Sequence, residues 1–364
     1  MTTETTLQLS EHLYPTDEVI GSLVQSMLTQ KSLHECLFWL WELLASTPNV
    51  PEGLTVIYRQ FYASSSSNLG RYISRKVDNY IQTQDKRNLA DIIANLRTSK
   101  YTGTAYLITR YSEKSAASVI YRPQQWMKLY PDKSTQILGS LHARDIHNVG
   151  WHCEIHSANY GIDSTMNVIK LYAQNHNIDI DDGIDAKYDT SDGIQIASAL
   201  ARIFDHPPWN VRSRFVRAPA DMVSEIDTHF TQKSKQYWRK LSEKRLYPTH
   251  GVMPPGNYGR YTVECFKKAC HYSWEYYCYD SVLWNKRFEN YCGTKNDEKK
   301  SIDFKDDDYL ENFYDDDNCM DFDEQPIEVQ NMSLHEINIM QDPLEWLNLI
   351  KSQILSNALD NMSL

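Results

Sequence analysis

Glycine is scarce, with 13 in 364 residues. Tight turns depend heavily on it, so the shortage argues against a many-stranded sandwich and for helices. No stretch approaches the roughly 18 consecutive apolar residues of a membrane span, which excludes a membrane partner from the reading. The opening residues Met1 to Ser10 are Thr-rich and lack both a basic and an apolar leader segment. The seven cysteines, Cys36, Cys153, Cys265, Cys270, Cys278, Cys292 and Cys319, are odd in number and scattered. A disulfide framework is not expected, and the chain reads as reduced and cytoplasmic or nuclear. A Walker loop, a dinucleotide fingerprint, a GxSxG elbow and kinase signatures are missing, so no cofactor is assigned.

What is present is a hydrophobic fraction of 41% and an aromatic fraction of 12%, with 24 Tyr and 9 Trp. That is enough apolar matter for a sizeable core. The net charge of −11 comes from one segment, because Asp303 to Glu328 holds twelve acidic residues against Lys305 and the remainder is balanced. A neutral body with an acidic arm is expected, the arm self-repelling and open to a basic partner.

The fold class expected is mainly α, a helical bundle or stacked helical hairpins with at most a few short strands in the middle region. Residues 1–100 read as five amphipathic helices. Thr16 and Asp17 open the first, Ser32 to Glu35 makes a capping box for the second, and Cys36 to Leu44 is apolar nearly all round, as a central helix would be. Pro51 suits the first turn of a third helix, and Ser64 to Ser67 reads as a linker. Residues 101–292 form a central, mostly helical region belonging to the same body. Tyr106, Leu107, Ile108, Val119, Ile120 and Tyr121 invite one or two strands there, while helices are expected near 164–175, 191–204, 221–244 and 261–291. Residues 293–333 have the composition of an unstructured acidic linker, and 334–364 carry a C-terminal amphipathic helix. Its face, Leu344, Trp346, Leu347, Ile350 and Ile354, either docks on the body or receives a protein partner.

Three constellations could carry chemistry. His147, His152 and His156 cluster, and on a helix the last two would share a face as two ligands of one metal ion do, although Gly150 and Trp151 interrupt a regular helix pattern. Cys265, Cys270, His271 and Cys278 lack a CxxC knuckle and fall at helical spacing, so packing explains them. Asp179 to Asp185 has its glycine out of register for a calcium loop and reads as acidic turns.

Basic residues cluster twice. Between Arg59 and Lys100 there are eight basic and three acidic residues, and between Arg202 and Arg245 ten against five. Arg71, Arg75, Lys76, Arg212, Arg214, Arg217, Lys235 and Arg239, with Tyr72, Trp209 and Trp238 as stacking candidates, are what single-stranded nucleic acid would require. A solvated helix face shows the same tally. If the patches share a side, the acidic arm could compete with phosphate for them.

The blocks KSLHECLFWLWELL (31–44), VIYRQFYASSSSNLGRYI (56–73), HYSWEYYCYDSVLWNKRF (271–288) and the trailing FYDDD...DFDEQP resemble a family of uncharacterised proteins of the nucleo-cytoplasmic large DNA viruses. The resemblance covers the N-terminal helices and residues 271–326 and carries over no active-site residue. It implies a viral protein in the host cytoplasm, in the viral factory or in the virion. The leading expectation is accordingly a non-enzymatic interaction or scaffold protein. A nucleic-acid-binding accessory factor of replication or transcription comes second, and a metal-dependent enzyme third.

Overall fold

The computed structural model describes residues 7–65, 67–114, 119–131, 133–185, 191–206, 214–231, 244–256, 263–315, 326–334 and 336–362. The fold is mainly α, 66% helical. The chain divides into two compact units, the first made of Met1–Val50 with Ala218–Leu364 and the second of Pro51–Arg217. Residues 1–100 and 101–292, expected to belong to one body, each contribute to both units, because the first two helices close with the C-terminal part of the chain.

In the first unit, α1 (Thr16–Leu28) and α2 (Leu33–Ser46) pack on each other. The Ser32 hydroxyl accepts the Glu35 N–H at 3.1 Å, as the capping box predicts. Helix α2 has neighbours on most sides, so Cys36 through Leu43 are all buried. One neighbour is α11 (Ala220–Thr231), the described part of the helix expected over 221–244. The strand β1 (Val252–Met253) lies against α1. The long helix expected over 261–291 is instead α12 (Val263–Cys278), kinked at Ser273, and α13 (Val282–Asn290), which Ser281 caps.

Residues 293–315 of the expected linker are ordered, and 316–325 lie outside the described residues. The first part is a hairpin of β2 (Gly293–Asn296) and β3 (Ser301–Phe304), followed by α14 (Asp307–Asp315). The reason is aromatic: Phe313 is fully buried in a core with Phe266, Trp274, Trp284 and Phe288, and Arg287 lies 4.8 Å from the Phe313 ring centroid. Phe313 stacks on Phe288 and meets Tyr291 and Tyr314 edge-on, while Asp307, Asp308 and Glu311 stay exposed, so ring packing outweighs their mutual repulsion. Removing 303–328 would thus strip a core side chain along with charge. Helix α15 (Ile327–Leu334) and strand β4 (Asn338–Ile339) follow, β4 pairing in parallel with β1. Asp342 caps the last helix, α16 (Pro343–Met362), by accepting Leu344 N–H at 2.7 Å and Glu345 N–H at 3.0 Å.

The second unit holds α3 (Val50–Phe61), α4 (Ser67–Thr83), α5 (Arg87–Arg97), α6 (Thr104–Lys114), α7 (Thr135–His142), α8 (Ile146–Tyr160), α9 (Ile162–Asn175) and α10 (Asp192–Phe204). Tyr106 to Ile108, which invited a strand, lie in α6, and no strand occurs among the described residues of 101–217. Tertiary burial decides here: Ile108 is buried in the core with residues of α8 and α10, and Tyr106 is buried with its ring stacked on Phe61, centroids 5.0 Å apart. Gly150 lets α6 and α8 approach, since a Cβ there would lie 3.0 Å from Ile108. That explains a glycine inside a regular helix.

The acidic turns of 179–185 are clasped by arginines. Arg59 Nε donates to Asp182 Oδ2 at 2.8 Å, Ser198 Oγ donates to the same oxygen at 3.1 Å, and Arg202 donates to Asp179 O and Ala63 O. The loop lies so close to α4 that a Cβ at Gly70 would sit 2.0 Å from Asp182 O. Gly70→Ala is expected to cost about 1–3 kcal/mol through overpacking, read as a lowered urea midpoint. Gly53→Ala on α3, where nothing lies within 4 Å, is expected to be stabilising by about 0.5–1 kcal/mol. Equal effects would contradict the clasp.

Candidate functional site

Two basic segments far apart in sequence meet in the second unit. Asn95 on α5 pins the segment before α11, accepting Val216 N–H at 3.0 Å and donating to Val216 O at 2.8 Å across 121 residues. The pin lays Phe215 on Tyr72 of α4, ring centroids 4.2 Å apart and 13° from parallel. Arg75 follows on α4 with its guanidinium 5.6 Å from the Tyr72 centroid. Burial pushes the Tyr72 phenol up to about 12, Asp91 adds to this, and Arg75 and Arg217 both oppose it. Both arginines are therefore within Coulomb reach of one ring. Arg71, Arg75, Arg214 and Arg217 are all exposed.

Other members of the predicted set are committed elsewhere. Lys76 donates to Asp91 at 2.7 Å and to Asn88 Oδ1 at 3.3 Å. Arg71 meets Asp181 at 3.1 Å, an exposed pair worth little and easily exchanged. Tyr72 is buried with one face on Phe215, so its ring is not available to a base. Trp209, Arg212, Lys235, Trp238 and Arg239 lie outside the described residues.

The histidines of 142–156 lie on or beside α8, whose start is set by Asp145 accepting the His147 and Asn148 N–H groups, both at 3.1 Å. His152 and His156 share a face, as their spacing predicts. His147 does not join them, its ring lying 4.1 Å from that of Tyr111. Among the described residues no three His, Cys, Asp or Glu side chains are grouped to hold a metal ion. Burial lowers the pKa of both His152 and His156, favouring neutral rings. They line a cleft of about 400 Å³ with Lys133, Trp151, Ile155 and Tyr160.

The C-terminal face is largely covered by the first unit. Trp346, Leu347 and Ile350 are buried, Ile354 is half-buried and Leu344 is exposed. An apolar stripe of this kind is read equally well as core or as interface, and here the chain itself supplies most of the cover.

Sequence spacing missed a buried polar set in the first unit. Glu42 accepts from Ser10 Oγ, from His12 N–H at 2.8 Å and from His12 Nδ1 at 2.6 Å. Serine, histidine and carboxylate are the parts of a nucleophilic triad, but Ser10 gives its proton to Glu42 and not to the imidazole, so it is not activated. No local motif could have revealed this set, since its members are some 30 residues apart.

These groups predict acid lability. Burial lowers His229 to about 4 from 6.5, and hydrogen bonds with the nearby imidazole hold Glu42 below its usual range against burial. Below about 6.5 the unfolded chain takes up protons that folded His229 refuses, and below the ordinary carboxylate value the same holds for Glu42. Stability is full above pH 6.5 and falls as the pH drops. The thermal midpoint is expected to decline between pH 7 and 5, less steeply in His229→Gln, and a flat profile would contradict it.

No protein-family model, curated protein or solved structure matches the chain. No helix among the described residues is long and apolar enough to cross a membrane.

Proposed function

We propose that the chain is a nucleic-acid-binding protein rather than an enzyme, with the arginine face of the second unit as its contact surface. The observation that carries this reading is the Tyr72–Phe215 stack with its Asn95 pin, which brings the segment of the exposed Arg214 and Arg217 against α4 with its exposed Arg71 and Arg75. Exposed guanidinium groups from two segments offer phosphate contacts, and phosphate contacts supply sequence-independent affinity. With the Tyr72 ring covered, charge replaces base stacking as the main attraction. The large-DNA-virus resemblance supplies a setting, an accessory factor of replication or transcription in the host cytoplasm.

A second reading, a scaffold or virion component, is favoured by α14, an ordered helix that exposes Asp307, Asp308 and Glu311 to a basic protein partner. The two readings separate in a salt series with labelled single- and double-stranded DNA and RNA. Arg75→Glu with Arg217→Glu is expected to weaken binding by roughly tenfold or more at low salt and to reduce the salt slope by about 2. Absence of binding at low salt, or an unaffected double variant, would overturn the nucleic-acid reading and leave the scaffold.

A further inference from the structure

The cleft on α8 is built from parts that the arginine face does not use. Its mouth is apolar and uncovered: Ile120 is 83% exposed, and Ile155 and Tyr160 are each 45% exposed. The extended segment that carries Ile120 is held in place by Gln136, which accepts the Tyr121 N–H at 2.8 Å and donates to Tyr121 O at 2.9 Å. Tyr121 also donates its hydroxyl to Asp145 at 2.7 Å. The rim is therefore fixed by hydrogen bonds, and the open apolar side chains are not products of a loose loop. Trp151 and Tyr160 contribute aromatic walls, each against an imidazole, with Trp151 5.3 Å from His152 and Tyr160 4.8 Å from His156 between ring centroids.

The polar groups inside are unevenly satisfied. His152 is 5% exposed, and its Nε2 has no hydrogen-bond partner among the described residues. That atom is itself covered, so His152 serves as wall, and burial lowers its pKa. His156 Nδ1 lies 2.9 Å from Thr165 Oγ1, which is also 3.2 Å from Gly161 O. With the Thr165 proton on Gly161 O, Nδ1 carries its own proton and Nε2 is left as an acceptor. Among the described residues Lys133 brings the one cationic side chain of the lining, its ammonium 5.0 Å from the Tyr160 centroid, on a backbone at φ 72°. Asp145, whose charge acts on His152, is taken up by Tyr121, Asn148 and two backbone N–H groups. It does not cancel Lys133 by pairing with it.

A cation at the mouth, an imidazole acceptor inside and aromatic walls around some 400 Å³ define a ligand. We propose that this cleft binds a small aromatic carboxylate that carries a hydroxyl or N–H donor. The acid group meets Lys133, the ring lies against Trp151 and Tyr160, and the donor reaches His156. The metal alternative lacks a third ligand among the described residues and would place a cation beside Lys133.

Calorimetric titration of the full chain with 6-hydroxy-2-naphthoate, 2-naphthoate and 2-naphthol tests each part. The hydroxynaphthoate is expected to bind tightest, with loss of either the acid or the hydroxyl weakening binding by about tenfold. Lys133→Gln should abolish the preference for the acids over 2-naphthol, and Ile155→Arg should block all three, both being exposed positions whose exchange leaves the core untouched. Equal affinity for all three probes, binding that survives Ile155→Arg, or no binding at millimolar concentration would each overturn the assignment. Folding of both variants is checked by their thermal midpoints.

Discussion

A carboxylate with no solvent exposure, Glu42, sits in a nearly all-apolar helix, and its charge has to be met inside the protein. An unpaired buried ion is penalised by several kcal/mol, so the partners of Glu42 are held as firmly as Glu42 itself. Those partners, Ser10 and His12, belong to the segment before α1. The same segment offers His12 O and Leu13 O to Arg245, a fully buried guanidinium that also donates to Val329 O at 2.9 Å. Trp284 Nε1 adds a bond to Glu11 O at 2.9 Å, and Leu9 N–H one to Tyr277 O at 2.8 Å. A short stretch of chain is thereby tied to α2, α12, α13 and α15 at once. That is why the first unit is assembled from the two ends of the sequence.

The second unit uses the same economy of buried charge on a smaller scale. Asp182 is met by Arg59 and Ser198, and the Tyr58 hydroxyl donates to its carbonyl at 2.6 Å. The loop so fixed needs a glycine opposite it on α4. The consequence reaches the surface, because α4 held in this way presents Arg71 and Arg75 on its outer side while Tyr72 and Ile73 face inward. The arginine face is thus a by-product of interior pairing, and its spacing is as rigid as the helix that carries it.

Much of this was legible beforehand, and for identifiable reasons. The capping box at Ser32 and the all-round apolar run of α2 are local signals that depend on a few neighbouring residues. Legibility failed where distant residues decide. Tyr106 to Ile108 have strand propensity but become helix because Ile108 joins the core with residues of α8 and α10 and Tyr106 stacks on Phe61. The acidic stretch has the composition of a linker, yet Phe304 and Phe313 find the aromatic core formed by Trp284 and Phe288. The meeting of the Arg214–Arg217 segment with α4 rests on Asn95, a residue that no charge count would single out.

The sequence by itself determined the mainly helical class, the positions of most helices, the shared face of His152 and His156 and the concentration of negative charge in one segment. All of these follow from periodicity and composition within about a turn or two of helix. Only the tertiary structure decided which ends of the chain close together, which arginines are spent on interior carboxylates and which remain at the surface, and where a cleft opens beside α8. These depend on contacts between residues tens to hundreds of positions apart, set by burial of charge and packing of rings, for which a single sequence contains no local sign.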